Sequence, residues 1–324
     1  MKTYPYLFTV FTPTFNRAHT LALVFESLCK QTFKEHQGIP VFEWLIVDDG
    51  SVDGTGLVVD QFRKTADFPI RYHYQENAGK HVAMNRGVAL ARGRFFLPAD
   101  SDDAFLPETL DVFHKHWNRL SADQQRSCAG VTCLCRDGYS GKVIGDPRKI
   151  DPDTFVTDLP YVVRNRIYFE RWGFTRTDIL RQYPFPEITG MKFIPEGIVW
   201  NRIARRYKRI NTREPLRIVY FRSDGFSRNI VSNYIRHGMG HYLYHLSNLV
   251  ENGNLLRRYD PIRFGKEMIQ LGRTGRHANI HALHTARDLG GGWSMTILWC
   301  VVLPLALMLA RHDRNRMDSR KRRE

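Results

Sequence analysis

The sequence predicts an α/β fold in which helices cover both faces of a mainly parallel sheet. In the amino-terminal part, short apolar segments alternate with segments of helical periodicity, which is the pattern of successive β-α-β units. These apolar segments are nearly continuous, as expected for strands that are buried on both faces. A further observation concerns the carboxyl end, where a basic third of the chain contains the uncharged run Trp293–Ala310. That run predicts a helical extension that associates with a membrane.

Strands and helices follow one another regularly from the amino terminus. In the first helix, Leu21, Val24 and Leu28 recur at helical spacing. The predicted strands are Leu7–Thr12, Phe42–Val47, Ile70–Gln75 and Arg94–Pro98, and the helices between them are Ala18–Lys30, Gly54–Lys64 and a third that opens at Asn77–Lys80 and stops at Gly93.

The middle of the chain, from about Cys128 to Pro186, is expected to complete the sheet, with a hairpin turn at Gly138–Gly141. Arginines alternate with aromatic residues there, as at Arg171 and Trp172. They could bind a sugar or a phosphate, but we favour an amphipathic element with an exposed basic face. Further elements predicted here are the helix Ile198–Tyr207, the strand Leu216–Phe221 and a loop Arg222–Ser227 that closes over phosphates.

The segment Phe95–Asp103 leads from an apolar strand into three carboxylates, those of Asp100, Asp102 and Asp103. Like charges this close raise one another's pKa unless a cation neutralises them. Asp100 and Asp102 alternate along an extended backbone, so both can reach one Mg²⁺ or Mn²⁺ ion that binds a diphosphate. The alternative is an acidic loop whose carboxylates cap the helix that Pro107 opens.

Polar loops follow three of the predicted strands, namely Thr14–Arg17, Asp48–Ser51 and Asp100–Asp103. In open parallel sheets, ligands bind beyond the carboxyl ends of the strands. We therefore expect the three loops to converge on one cleft. The sequence contains neither the dinucleotide fingerprint G-x-G-x-x-G nor the P-loop G-x-x-x-x-G-K-[ST].

Four motifs in this order resemble those of family 2 glycosyltransferases with the GT-A fold: Thr12–Arg17, Val47–Thr55, Asn77–Gly93 and Asp100–Asp103. Together they are far more specific than any one of them. The resemblance covers roughly the first two hundred residues and implies a Rossmann-like sheet flanked by helices. It also implies an inverting enzyme of the hexosyltransferase type. The donor would be a nucleotide-sugar, with UDP as our expectation, and the acceptor a glycan or polyprenyl-linked saccharide in surface polysaccharide biosynthesis.

The resemblance implies a nucleoside pocket near the first two loops. Asp49 is our choice for a hydrogen bond to the base edge, and its alternative is to cap the turn before Gly54. The residues implied for this pocket are Pro13, Thr14, Arg17, Asp48 and Asp49.

The resemblance places the diphosphate at the acidic motif, with Asp100 and Asp102 as ligands of Mg²⁺ or Mn²⁺. Ser101 and Lys80 are expected to contact the nucleotide as well. For Lys80, a solvated lysine at the start of a helix is the alternative.

Glu196 is the expected catalytic base. It follows Pro195 at the start of a helix, and inverting transfer needs one base to take the proton of the acceptor hydroxyl. Glu196 matches the place where family members carry an acid or a Glu-Asp pair, although Gly197 stands where the Asp often follows. The alternative is that Glu196 only interacts favourably with the helix dipole.

Three histidines, His237, His241 and His245, recur every four residues. A zinc site needs such spacing, but no acidic or cysteine ligand accompanies them in the sequence. We therefore interpret them as one face of a helix at an interface.

The basic charge is confined to the carboxyl-terminal third. Residues 1–200 hold 24 Lys and Arg against 24 Asp and Glu, whereas residues 201–324 hold 24 against 9, so the second part carries the whole net charge of +15.

The 18 residues Trp293–Ala310 are at the lower limit for a spanning helix. Because Pro304 would kink a helix, and Trp293 and Trp299 favour the interface, we expect this run to dip into or lie along the inner leaflet. A buried core helix is the alternative.

The chain accordingly divides into a GT-A catalytic domain over 1–227, a basic helical extension over 228–292 and a membrane-associating segment with a basic tail over 293–324. We expect a monotopic or peripheral protein at the cytoplasmic face of the membrane that does not bind nucleic acid. The rival interpretation is a catalytically inactive or nucleic-acid-binding protein that uses the basic third.

Overall fold

The computed structural model describes residues 4–36, 38–152, 155–222, 230–290 and 293–321. The chain forms two compact units, the first from Met1–Phe185 with Arg202–Phe221 and the second from Pro186–Asn201 with Arg222–Glu324. We retain the ranges 1–227, 228–292 and 293–324 as a proposal about domains, because compactness alone does not define independent folding.

The first unit contains the sheet and the helices that pack on it. Its strands are β1 (Tyr6–Thr14), β2 (Glu35–His36), β3 (Ile39–Pro40), β4 (Phe42–Asp48), β5 (Ile70–Tyr74), β6 (Gly93–Pro98), β7 (Ala104–Phe105), β8 (Cys128–Asp137), β9 (Val143–Ile144), β10 (Phe155–Thr157), β11 (Arg171–Arg176) and β12 (Lys208–Val219). Its helices are α1 (Leu21–Cys29), α2 (Thr55–Thr65), α3 (Lys80–Leu90), α4 (Thr109–Asn118), α5 (Ala122–Ser127), α6 (Asp158–Arg164) and α7 (Thr177–Leu180).

The main sheet has the strand order β10-β12-β8-β11-β6-β1-β4-β5. β1 pairs in parallel with both β4 and β6, and β4 pairs in parallel with β5, so the half that contains the predicted strands is parallel. β11 runs antiparallel to β6 and β8 and joins this half to the rest. β8 and β9 form the hairpin that the sequence predicted.

Helices cover both faces of this sheet. Successive residues of β1 point to opposite faces, and the side chains on each face contact helices. Phe8 and Val10 belong to a core that also contains Leu21 of α1 and Phe113 of α4. On the other face, the ring of Phe11 packs against Gly87 of α3. A Cβ atom at position 87 would lie 2.1 Å from Phe11 Cε2, so only glycine fits there. The predicted α/β class is therefore confirmed.

Among the described residues of the second unit, the regular secondary structure is helical, and residues 186–196 form a connecting segment without it. Helix α8 (Gly197–Arg206) begins there and continues into the first unit. The remaining helices are α9 (Ile230–Arg236), α10 (Gly238–Tyr259), α11 (Pro261–His277), α12 (Ala282–Asp288) and α13 (Trp293–Lys321). One stretch, Met295–Met317, is long and apolar enough to cross a membrane, by length and composition alone.

Histidines of α10 lie in the packing between helices, as predicted. His245 is buried, and its Nδ1 lies 2.6 Å from Glu267 Oε2 of α11. The acid that pairs with it is thus distant in sequence. The described residues contain no cluster of three or more His, Cys, Asp or Glu suited to a metal ion.

The predicted loop Arg222–Ser227 lies outside the described residues from position 223 onward.

Candidate active site

The carboxyl ends of three neighbouring strands meet at one edge of the sheet in the first unit. In the parallel pairing of β1 with β4, Thr14 lies opposite Asp48, and in that of β1 with β6, Phe11 lies opposite Pro98. Asp49 N also donates to Thr14 O at 2.8 Å. The three polar loops that leave these strands are therefore neighbours, in agreement with the sequence-based expectation.

The first two loops hold each other through Asn16 and Asp53. Asn16 has a φ of 52°, a left-handed conformation that Asn adopts more readily than most residues. Its backbone N donates to Ser51 Oγ at 2.8 Å, and its Oδ1 accepts from Val52 N at 2.9 Å. Asp53 accepts from Ala18 N at 2.9 Å. Sequence reasoning did not single out these two residues, although Asn and Asp are typical of turns.

Asp48 is buried and joins its own turn to the next strand. Ser51 N donates to Asp48 Oδ1 at 2.7 Å, and the Tyr72 hydroxyl of β5 donates to Oδ2 at 2.6 Å. Burial and the hydrogen bond to Asp48 raise the pKa of Tyr72 well above its usual range. Tyr72 therefore remains a donor at neutral pH, which keeps this connection intact.

The carboxylate of Asp49 is occupied by donors from the segment that precedes α3. Its Oδ1 accepts from Gln75 Nε2 at 2.8 Å and from Ala78 N at 2.9 Å, and its Oδ2 accepts from Gly79 N at 2.8 Å. These bonds position the chain immediately before Lys80. The contact between Asp49 and a base edge stays a prediction.

Thr14 offers an unused polar atom at this edge of the sheet. The residue is buried, and its Oγ1 has no hydrogen-bond partner among the described residues; the same is true of Gln75 Oε1. Because buried polar atoms are nearly always hydrogen-bonded, both atoms suit a polar ligand. Of the other residues predicted for this pocket, Pro13 lies opposite Val47 in the sheet, and Arg17 lies close enough to the acidic loop to influence it electrostatically.

Asp100 lies between two cations. Lys80 Nζ of α3 is 2.6 Å from Asp100 Oδ1, and Arg217 Nη2 of β12 is 2.9 Å from Oδ2. Burial opposes ionisation of this carboxyl, but the two cations outweigh it and lower the pKa of Asp100 to about 2. The carboxylate is therefore negatively charged at neutral pH.

Arg217 of β12 binds the carboxylates of the acidic loop, and sequence reasoning did not identify it. The pairing of β12 with β7 brings it opposite Phe105, directly after the acidic loop. Its Nε donates to Asp103 Oδ2 at 2.6 Å, and its Nη1 donates to Glu170 Oε1 at 3.1 Å. Although burial opposes the charge, the carboxylates of Asp103, Asp100 and Glu170 raise the pKa of Arg217, so it stays protonated.

The surroundings of Asp102 favour an added cation. Burial and the neighbouring Asp100 raise the pKa of Asp102, although Arg17 opposes the rise. A divalent ion beside both carboxylates would remove this penalty. Ser101 is buried in the same turn, which Asp103 N closes by donating to Asp100 O at 3.1 Å.

These residues fit a divalent ion that has few protein ligands. Mg²⁺ often binds one or two carboxylates together with substrate phosphates and water, and Asp100 and Asp102 provide two. Both oxygens of Asp100 already contact cations, so Lys80 and Arg217 would repel an ion that binds to the same carboxylate. Lys80 is the more exposed of the two, with 40% of its side chain accessible against 9% for Arg217.

Glu196 lies in the second unit, one residue before α8 begins. Trp200 Nε1 donates to Glu196 Oε2 at 3.1 Å along the first turn of the helix. A Cβ atom on Gly197 would lie 2.6 Å from Tyr244 Cε2 of α10. The ring of Tyr244 therefore lies where an acidic side chain at position 197 would begin. The role of Glu196 as base stays a prediction.

Arg171 and Trp172 are held by other parts of the first unit. Arg171 Nη1 donates to Asp158 Oδ1 at 3.0 Å. The Trp172 ring stacks on Phe105 with 4.9 Å between centroids, and its Nε1 donates to Pro98 O at 2.6 Å. The interpretation as an exposed basic face is therefore wrong for these two residues, because Trp172 is buried and only 15% of the Arg171 side chain is exposed. Binding of a sugar or a phosphate there stays a prediction.

Comparison with known proteins gives a family match over more than half of the chain. The family model described as "Glycosyl transferase family 2" matches residues 9–194. The putative teichuronic acid biosynthesis glycosyltransferase TuaG of Bacillus subtilis is 30% identical over 136 residues, which are 41% of this chain and 49% of TuaG. The uncharacterized glycosyltransferase YibD of Escherichia coli is 26% identical over 71% of this chain and 67% of its own length. The chain thus spans about half the length of TuaG.

Two solved structures share the fold. Staphylococcus aureus TarS 1–349 in complex with UDP-GlcNAc has a TM-score of 0.62 at 17% identity, covering 95% of this chain and 91% of that one. The mannosyltransferase PcManGT from Pyrobaculum calidifontis, in complex with GDP-Man and Mn²⁺, has a TM-score of 0.55 at 18% identity, covering 96% and 87%. These similarities confirm the predicted GT-A architecture.

Proposed function

This chain belongs to glycosyl transferase family 2, and we propose that it transfers a hexose from a UDP-linked sugar to a hydroxyl of a glycan or lipid-linked saccharide. The observation that carries the proposal is the carboxylate of Asp100, held between Lys80 and Arg217 beside Asp102 at the edge of the parallel sheet. Carboxylates for a metal ion next to basic side chains are what a nucleoside diphosphate requires. The nucleotide-sugars bound to TarS and PcManGT support this donor class.

On the donor side, Asp100 and Asp102 would hold Mg²⁺ or Mn²⁺, and the ion would supply Lewis-acid stabilisation of the leaving diphosphate. Lys80 is the first residue of α3. Its side chain is flexible, so its ammonium group can move from Asp100 to a phosphate oxygen. Arg217 remains on Asp100 and Asp103 and fixes the loop. Thr14 Oγ1 and the loop of Asp48 and Asp49 would bind the nucleoside.

On the acceptor side, Glu196 would take the proton of the attacking hydroxyl. Attack from the face opposite the diphosphate inverts the anomeric centre in a single displacement, so one base is sufficient. Trp200 donates to one oxygen of Glu196 and leaves the carboxylate able to accept a proton. This assignment rests on the position of Glu196 in the family pattern and on its carboxylate chemistry.

We place the reaction in surface polysaccharide biosynthesis at the cytoplasmic face of the membrane. The names of TuaG, a putative teichuronic acid biosynthesis enzyme, and of TarS, a poly(ribitol-phosphate) β-N-acetylglucosaminyltransferase, support an anionic glycan acceptor. The basic third of the chain is suited to such an acceptor and to anionic lipid.

Calorimetric titration of a panel of nucleotide-sugars, with and without Mn²⁺, tests the donor. We expect one UDP-sugar to bind in a manner that depends on Mn²⁺, and proton NMR of the product to show the anomeric configuration opposite to that of the donor. Absence of binding by every nucleotide-sugar would overturn the proposal. Binding of nucleic acid with a steep dependence on salt would instead favour the rival interpretation.

A further inference from the structure

Helix α13 is packed along one face against α11. Trp299, Ala306 and Ala310 on that face are buried. A Cβ atom on Gly272 of α11 would lie 2.7 Å from Ala306 Cβ, so the two helices approach closely at this glycine. Trp299 Nε1 donates to Ala282 O at 3.2 Å, which fixes the amino-terminal half of α13.

A buried ionic cluster fixes the carboxyl-terminal half of α13 to α11. Asp313 is only 1% exposed. Arg273 donates to its two oxygens, from Nη2 at 2.6 Å and from Nε at 2.7 Å, and His277 Nε2 lies 2.9 Å from Oδ2. A helix that crossed a bilayer alone would have to break these contacts and separate Asp313 from Arg273 and His277, which is costly. The packing therefore argues against a spanning helix, despite the apolar length of α13.

The opposite face of α13 exposes large apolar side chains to solvent. Trp293, Ile297, Val301 and Leu305 recur every four residues and are all exposed, Trp293 by 88% and Val301 by 69%. Met308 continues this face. Such a contiguous exposed patch is uncommon on a monomeric protein and marks an interaction site. At 1.5 Å per residue it extends over about 22 Å.

Basic side chains follow the apolar patch along the same helix. Arg311, His312, Arg314 and Arg316 are exposed, and each lies within about two turns of Met308. Anionic headgroups attract such residues when they flank an apolar surface that enters the lipid. Two copies of this face would instead bring like charges together if aligned in parallel. If aligned antiparallel, they would place arginines on the apolar patch.

We propose that the outward face of α13, from Trp293 to Arg316, binds the surface of an anionic bilayer with the helix axis parallel to the membrane. The apolar patch enters the boundary between headgroups and acyl chains, and the arginines contact phosphates. This deepens the membrane location given above and rests on that proposed function for its biological setting. Lipid binding itself needs neither donor nor acceptor.

Flotation of the full chain with vesicles tests the proposal, without any nucleotide-sugar. We expect binding to vesicles of phosphatidylglycerol and phosphatidylcholine, and at least tenfold weaker binding to phosphatidylcholine alone. Ile297→Glu/Val301→Glu should weaken binding to the anionic vesicles at least tenfold, and Arg311→Gln/Arg316→Gln should weaken it and reduce its dependence on salt. Ile262→Glu is the matched control, because Ile262 is equally exposed, at 65%, but lies on α11.

Cys300 provides a second measurement within the native chain. It is exposed on α13, whereas Cys29 is only partly exposed and lies in the first unit. Anionic vesicles should slow the reaction of Cys300 with a water-soluble maleimide at least fivefold and leave Cys29 unchanged.

Three results would overturn the proposal. The first is equal binding of the wild type and Ile297→Glu/Val301→Glu to anionic vesicles. The second is a stable dimer in sedimentation that this variant dissociates, without vesicle binding by the wild type, which would assign the face to a second copy. The third is labelling of the variant Asn315→Cys at position 315 from the outer side of sealed cells, which would mean that α13 spans the membrane. Transfer to a soluble acceptor in any of these cases would leave the proposed activity intact.

Discussion

Lys80 Nζ lies 2.6 Å from Asp100 Oδ1, so an ammonium group occupies one side of the carboxylate that we propose as a metal ligand. An ammonium and a divalent ion compete for the same oxygen. Movement of Lys80 away from Asp100 would relieve its repulsion from a bound ion, and a diphosphate delivered at the same time would give the lysine a new partner. The pair thus couples binding of the ion to binding of the nucleotide.

Lys80→Met should therefore bind Mn²⁺ alone more tightly than the wild type. An ion pair of this exposure contributes about 1 kcal/mol, so we expect the Kd for Mn²⁺ to fall by roughly threefold to tenfold. The affinity for UDP in the presence of Mn²⁺ should move in the opposite direction. Calorimetry measures both. Lys115→Met is the control, since Lys115 pairs with Asp111 on the exposed face of α4. Unchanged Mn²⁺ affinity would contradict the competition.

Asp102→Asn and Asp103→Asn should differ in kind, although the two residues are adjacent. Asp102→Asn removes a carboxylate proposed for the metal, so Mn²⁺-dependent UDP affinity should fall at least tenfold and transfer at least a hundredfold. Without metal the variant should lose no stability, because burial and Asp100 already disfavour the ionised form of Asp102. Asp103 is buried against Arg217. Burial raises the pKa of Asp103 to about 8, although Arg217 opposes the rise. Above that pH, Asp103→Asn should lower the free energy of unfolding by about 2 kcal/mol, because it leaves the buried charge of Arg217 less well paired. Chemical denaturation distinguishes the two variants, because only Asp103→Asn should lose stability. Full activity of Asp102→Asn in excess chelator would refute the assignment of Asp102 as a metal ligand.

The part of the site that depends on local pattern was predictable from the sequence. Apolar strands followed by polar loops identified the sheet edge that contains Thr14, Asp48 and Asp100, because parallel strands end at the same side. Arg217 was not predictable, because it is 117 positions from Asp100 and nothing in its local sequence marks the contact. Only the position of β12 beside β7 brings the two together.

The start of β12 shows why some boundaries were missed. The sequence predicted a strand from Leu216, whereas β12 begins at Lys208. Its first half is polar and its pairing with β8 shifts register after Asn211, so no period-2 apolar pattern is visible. Buried Asn211 is stabilised by Thr132 Oγ1, which donates to its Oδ1 at 2.7 Å. Tertiary hydrogen bonds thus replace the apolar signal that sequence reasoning relies on.

Glu196→Gln should lower turnover about a hundredfold or more and leave donor affinity unchanged. Gln keeps the shape of the side chain and can accept from Trp200, but it cannot take the acceptor proton. Single-turnover kinetics with calorimetry of the donor gives both quantities. Glu187→Gln, an exposed acid in the same segment, is the control. Unchanged turnover would assign the base elsewhere, and Asp224, outside the described residues, is the next candidate.

Acidification should destabilise α10 through His241. Burial, followed by repulsion from His245 and His237, lowers the pKa of His241 to about 3. The unfolded chain binds a proton near pH 6.5, whereas the folded chain does not. Stability is therefore fully present above pH 6.5 and is lost as the pH falls below it, by about 1 kcal/mol at pH 5.5.

Amide hydrogen exchange in α10 measures this loss locally. His241→Phe keeps a ring between Phe193 and Tyr234 but cannot be protonated, so its exchange protection should depend less on pH between 7.5 and 5.5. His19→Phe, in the first unit, should leave the profile of α10 unchanged. An equally steep profile in His241→Phe would show that another group is responsible.

The last prediction concerns Gly197, where family members often carry an acid. Because its Cβ would lie 2.6 Å from Tyr244 Cε2, Gly197→Asp should overpack the start of α8 and cost about 1–3 kcal/mol of unfolding free energy. Adding Tyr244→Ala creates the missing space, so the double variant should lose at least 1 kcal/mol less than the sum of the single losses. Gly265→Asp is the control, because a Cβ on Gly265 of α11 has nothing within 4 Å. Additive losses would mean that Tyr244 does not determine which residue fits beside Glu196.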